Sequence, residues 1–146
     1  DNSKGQVVLS GNNRDLNLLA DDLNKNSIKS IKLSVSAPFH CKLMSPATEI
    51  MRNEIINTEF KTPNNKIVSN VTAKETNDTN EIKNLLIKQI ENPVRWRESV
   101  INMINSNIDK FIEIGPGKVL SGLIKRIDRN KQLIQVNDIE DIKNLI

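Results

Sequence analysis

The stretch from Asp109 to Val136 constrains the fold more than any other part of this 146-residue chain. DKFIEI, Asp109 to Ile114, has the β-branched and aromatic content of a strand. Gly115, Pro116 and Gly117 turn it, and Leu120, Leu123, Ile124 and Ile127 then recur at helical spacing. Leu133 to Val136 follows as a further short strand. Strand, glycine turn and helix are the elementary α/β step, so the fold class is read as α/β. Free amides behind such a turn can hold an anion. GPG, however, has neither the GxGxxG spacing nor the lysine of a phosphate loop. A tight structural turn and a phosphate cradle both stand as readings at this point.

The second informative stretch is SAPFHCKLMSPA, Ser36 to Ala47, which carries the only histidine. Pro38 fixes its own φ and pushes Ala37 towards an extended conformation, so the chain leaves IKLSVS stiffly and presents His40 in a loop. Ser45 and Pro46 read as a helix start, a capping hydroxyl followed by proline in the first turn. A loop between a strand end and a helix start holds polar groups steady while leaving them reachable. Imidazole titrates near neutrality, so His40 there is either an ordinary loop histidine or a general base.

The remaining segments supply a helix-rich frame. Gln6 to Ser10 reads as a short strand, and Asn12 or Asn13 caps a helix with Leu16, Leu19, Ala20 and Leu23 on one face. Ile28 to Val35 alternates as a second strand, giving a β-α-β opening. The start of the chain, so close before the first strand, reads as a cut through a longer polypeptide. Leu43, Ala47, Ile50, Met51 and Ile55 mark a helix from Met44 to Asn57, and Lys66 to Thr72 a strand. Ile82, Leu85, Leu86 and Ile90 mark another helix with Gln89 beside them. Pro93 ends it, and Val94 to Asn105 form the next, with Trp96, Val100, Met103 and Ile104 inward. Asp138 to Ile146 reads as a terminal helix capped by Asp138.

Composition narrows the functional classes. Aromatics are 3% of residues and tyrosine is absent, so the core is built from Ile, Leu and Val. The net charge of +3 comes from Lys and Arg scattered among carboxylates, which argues against a nucleic-acid interface. A single cysteine, Cys41, makes no internal disulfide and suggests a reducing compartment; with no second His or Cys partner it also leaves a zinc site incomplete. No apolar run has bilayer-spanning length, so no membrane role is expected, and the cytoplasm is the expected location.

Taken together, NSKGQVVLSG, SVSAPFHCKLMSPA, VSNVTAKETN, QIENPVRWRESV and FIEIGPGKVLSGLIKRI, in this order, closely resemble the C-terminal half of malonyl-CoA:acyl carrier protein transacylase of bacterial type II fatty acid synthesis. An acyltransferase domain of a polyketide or type I synthase is a more distant resemblance. What the family implies is a ping-pong acyl transfer: a serine activated by a histidine takes malonyl from coenzyme A and passes it to the phosphopantetheine thiol of acyl carrier protein. His40 matches the catalytic histidine. Gln89 matches the residue whose main-chain oxygen orients that imidazole, although by its residue type alone it is an ordinary helical glutamine. Asn2 matches an asparagine near the acyl and pantetheine site. No dissociable cofactor is implied.

The family fold is an α/β-hydrolase-like large subdomain with a ferredoxin-like small subdomain inserted. On that resemblance residues 1–36 are the latter part of the small subdomain and 37–146 the C-terminal part of the large one. The chain has no GxSxG elbow. The serine, a glutamine-containing oxyanion loop and the arginine that recognises the malonyl carboxylate are implied to lie in a missing N-terminal half, so the chain alone is expected to be inactive. Lys29 and Lys32, with Lys25 and Lys42 nearby, are read either as a docking rim for an acidic carrier protein or as solvated surface. The competing functional class is a non-catalytic truncated or split-gene module that binds carrier protein or an N-terminal partner chain.

Overall fold

The computed structural model describes residues 1–143 and divides into two compact units. The first comprises Val8–Val71 and Glu75–Val94. Its opening helix, α1 (Asn13–Lys25), starts at Asn12, whose side chain accepts from the Asp15 amide. Leu16, Ala20 and Leu23 of the expected face are half-covered, while Leu19 is exposed and no residue of the helix is buried. A 3₁₀ turn (Lys42–Met44) leads into α2 (Ser45–Asn57) with Pro46 in its first turn. Two-residue strands β1 (Ile67–Val68) and β2 (Glu75–Thr76) pair antiparallel. The helix α3 (Thr79–Lys88) follows, its N-terminus closed by the Asp78 carboxylate on the Glu81 amide. Ile82, Leu85 and Ile87 of α3 are the unit's buried apolar residues, and α3 packs on α2.

The second unit comprises Asp1–Val7, Thr72–Lys74 and the chain from Arg95 onward. It holds α4 (Trp96–Asn105), β3 (Lys110–Ile114), α5 (Val119–Ile127), β4 (Gln132–Val136) and α6 (Ile139–Lys143). Strands β3 and β4 pair in parallel, Lys110 against Gln132 through Ile114 against Val136, with α5 as the crossover. This is the α/β step expected from Asp109 to Val136. Val100, Leu123, Ile124 and Val136 form its buried apolar set, with Ala73 closing it. The Asn102 side-chain amide donates to the Ala73 carbonyl at 2.9 Å, tying the 72–74 segment to α4. Asp138 caps α6 through the Asp141 amide; the last residues expected in that helix, 144–146, lie outside the described residues. Among the described residues no helix is long and apolar enough to cross a membrane.

Five expectations are corrected. Gln6–Ser10 and Ile28–Val35 are not strands, so there is no β-α-β opening. Asn2 to Gln6 forms a tight turn, and Ile31, Leu33 and Val35 stand 72%, 53% and 65% exposed. A strand exists only with a ladder partner, and none of the described residues provides one. Ser45 does not cap α2: the 3₁₀ turn runs straight into the helix, so Met44 occupies the cap without a side-chain bond. The expected face of α2 is covered only in part: Ala47 and Ile55 are half-buried, Leu43, Ile50 and Met51 are exposed, and Thr48 is the helix's buried residue. The strand expected at Lys66–Thr72 shrinks to two residues. Beyond it the Ser69 and Thr72 hydroxyls accept from the Val71 and Lys74 amides, and such local bonds displace a ladder.

Candidate functional site

His40 is fixed by the far end of α3. Its amide donates to the Ile90 carbonyl at 3.2 Å, and its ring Nδ1 lies 2.8 Å from the Gln89 main-chain oxygen. A carbonyl oxygen only accepts, so Nδ1 carries the proton in this bond. In the neutral ring the lone pair is therefore on Nε2. The side chain is exposed, so that nitrogen is open to a reacting group. The backbone at His40 is left-handed, φ 62°, a conformation that costs a non-glycine residue roughly 1 kcal/mol and is held here by the two bonds to α3. What the arrangement can do is remove a proton at Nε2 and return it while Nδ1 stays anchored.

Gln89 is the C-cap of α3, and its side-chain oxygen accepts from Asn70 Nδ2 at 3.4 Å. Asn70 was not singled out from the sequence; it lies in the turn after β1, and nothing in SNVT signals a contact nineteen positions later. Gln89 and Asn70 also line a cavity of about 80 Å³ with Ile67, Val68, Ile82 and Leu85. That volume is well below the several hundred Å³ of a usual small-molecule pocket, so it does not hold an acyl-coenzyme A. Beside His40, Cys41 donates its thiol to the Pro38 carbonyl at 3.2 Å.

Among the described residues, no hydrogen bond joins Lys29 or Lys32 to the imidazole. Lys29 and Lys32 are exposed on the extended segment after α1. Asn2 belongs to the second unit, where its amide donates to the Gln6 carbonyl at 3.0 Å.

The glycine turn is occupied by the chain itself. The Glu113 carboxylate accepts from the amides of Leu120 and Ser121 at 2.9 and 2.8 Å and from the Ser121 hydroxyl at 2.6 Å. The Gly117 amide donates to the Asn137 side-chain oxygen at 2.7 Å. Burial pushes the Glu113 carboxyl up. The Ser121 hydroxyl and the amides of Ser121, Leu120 and Val119 outweigh it and hold the group below its ordinary value. An internal anion thus fills the helix N-terminus, and the structural-turn reading replaces the phosphate cradle.

No family model matches the chain. The chain is 40% identical over 143 residues to the malonyl CoA-acyl carrier protein transacylase of Bacillus subtilis, an alignment covering 97% of this chain and 45% of that one. Among solved structures, the malonyl-CoA:ACP transacylase of Synechocystis superposes with a TM-score of 0.88 at 29% identity, over 99% of this chain and 48% of that one. A malonyl-transacylase solved in complex with its type II PKS acyl-carrier protein superposes with a TM-score of 0.84 at 33% identity, over 92% of this chain and 44% of that one. The chain therefore spans about half the length of the relatives it matches.

Proposed function

We propose that the chain, which spans slightly under half the length of the malonyl CoA-acyl carrier protein transacylases it matches, is the C-terminal portion of such an enzyme and supplies the proton shuttle of the reaction. The single observation that carries this reading is the 2.8 Å contact from His40 Nδ1 to the Gln89 carbonyl, which leaves Nε2 free.

In the complete enzyme a serine outside this chain attacks the thioester of malonyl-coenzyme A. His40 Nε2 takes the hydroxyl proton as the Oγ–acyl bond forms, then delivers it to the departing coenzyme A thiolate. In the second half the pantetheine thiol of acyl carrier protein gives its proton to Nε2 and takes the malonyl group, and the serine recovers the proton. The Gln89 oxygen accepts from Nδ1–H whether the ring is neutral or protonated, so the imidazole keeps one orientation through both transfers. By the family resemblance, Asn2 is assigned to contact with the acyl and pantetheine groups of the substrate. The assignment of residues 1–36 to a small ferredoxin-like subdomain and 37–146 to a large α/β-hydrolase-like one belongs to this reading, as does a cytoplasmic location. The unpaired apolar segment Ile28–Val35 supports it, because a complementary half has a strand position to fill there.

The test is reassembly. Malonyl transfer from coenzyme A to carrier protein is expected at background with this chain alone and to appear when an N-terminal transacylase half is added. Turnover by the pure chain, or none in a stable complex of the two halves, overturns the assignment.

Carrier docking is the finer part of the proposal. Lys29 and Lys32 are exposed and positively charged, as a surface receiving an acidic partner requires. In the reassembled enzyme, Lys29→Glu with Lys32→Glu is expected to weaken carrier-protein binding by roughly three- to tenfold at low salt and much less at high salt. Isothermal titration at two ionic strengths reads this; equal affinities for variant and parent at low salt remove the lysines from the docking surface.

A further inference from the structure

We propose that Pro93 is a positioning residue for His40: because it has no N–H, it leaves the Gln89 carbonyl unclaimed by the helix, and the imidazole takes it. The catalytic consequence rests on the acyl-transfer reading above; the hydrogen-bond claim stands apart from it.

Every α-helix ends with carbonyls that have no partner within the helix. At the end of α3 the neighbouring ones are claimed locally. Gln89 N donates to Leu85 O at 2.9 Å and Ile90 N to Ile87 O at 3.4 Å. Lys88 O accepts from the amides of Glu91 and Asn92, at 3.3 and 3.1 Å, and from the Asn92 side chain at 2.7 Å. The next carbonyl is that of Gln89, whose helical donor is the amide four residues on. That residue is Pro93, which has none. Proline also biases Asn92 out of the helical region, so the turn cannot continue past it. Gln89 O and Ile90 O lie beyond these bonds, and His40 takes both, one through its ring and one through its amide. With an amide at position 93 the helix has a route to extend by one residue, and the donor competing with the imidazole is part of the chain.

This chain has one histidine, so ¹⁵N-histidine labelling gives a single pair of ring nitrogen signals. In the parent with a neutral ring, Nδ1 is expected protonated and Nε2 bare. In Pro93→Ala the fraction with Nδ1–H is expected to fall by at least half. An ester analogue with lactic acid at position 93, introduced by nonsense suppression, has the alanine side chain and again lacks the N–H; it is expected to restore the parent ring signals.

Pro93→Ala with parent-like ring signals overturns the proposal. So does an ester analogue that fails to fold or that loses the Nδ1–H form, since the missing N–H is then not what matters. Should Pro93→Ala not fold, a folded ester analogue with Nδ1–H sustains the proposal. A parent ring protonated at Nε2 instead sinks the proposed function along with this inference. Parent-like rings in all three proteins remove Pro93 alone.

Discussion

Malonyl transfer by a transacylase reassembled from this chain and an N-terminal half is expected to fall about 10⁴-fold when His40 is replaced by alanine. The serine hydroxyl is a poor nucleophile until its proton is accepted, and among the described residues there is no other imidazole to accept it. The loss belongs in kcat, because the ring acts on the moving proton and not on the bound acyl group. Gln89→Ala provides the contrast. The contact uses a main-chain oxygen, which alanine retains, so only the 3.4 Å link to Asn70 is lost and less than a tenfold fall is expected. Steady-state kinetics with malonyl-coenzyme A and carrier protein measure both. A His40→Ala rate within tenfold of the parent ends the proton-shuttle account, and a Gln89→Ala loss as large as that of His40→Ala assigns the work to the glutamine side chain instead.

The second large effect is on stability. Glu113→Gln is expected to lower the unfolding free energy at neutral pH by about 1–2 kcal/mol, the range of a lost helix cap. Glutamine keeps one acceptor oxygen for the three donors from Leu120 and Ser121 and loses the charge that favours a helix N-terminus. The carboxyl sits below its ordinary value in the folded chain. Its contribution is therefore complete above the unfolded-state value of about 4.3 and declines as pH falls through the depressed folded-state value. Urea midpoints should separate parent and variant at pH 7 and converge on acidification below pH of about 4. Curves that stay equally separated through that range assign the effect to shape and not to charge.

These two residues show what a sequence discloses and what it withholds. The step from β3 through α5 to β4 was legible because its pattern is contiguous and its partners are a few residues away. Ile28–Val35 alternates like a strand yet is none here, because alternation alone does not supply a ladder partner and none of the described residues pairs with it. For α2 the apolar spacing identified a helix but not the face it buries, which its neighbour α3 decides. His40 was legible as the lone imidazole in a stiff loop. Gln89 came only through resemblance, since every residue has a main-chain oxygen and the side chain gives no hint of it. Glu113 was passed over as a routine alternating residue of a strand; its importance comes from lying seven and eight positions before two free amides.

The segment IKSIKLSV has a consequence for handling and for cellular fate. Short β-prone stretches with little charge are the seeds of cross-β stacking, and this one lies open along its length. Lys29 and Lys32 interrupt it with repelling positive charges, the gatekeeper placement that keeps identical copies from stacking in register. Replacing both with isoleucine is expected to promote fibril formation, read as a rise in thioflavin fluorescence, whereas the glutamate reversals preserve the repulsion.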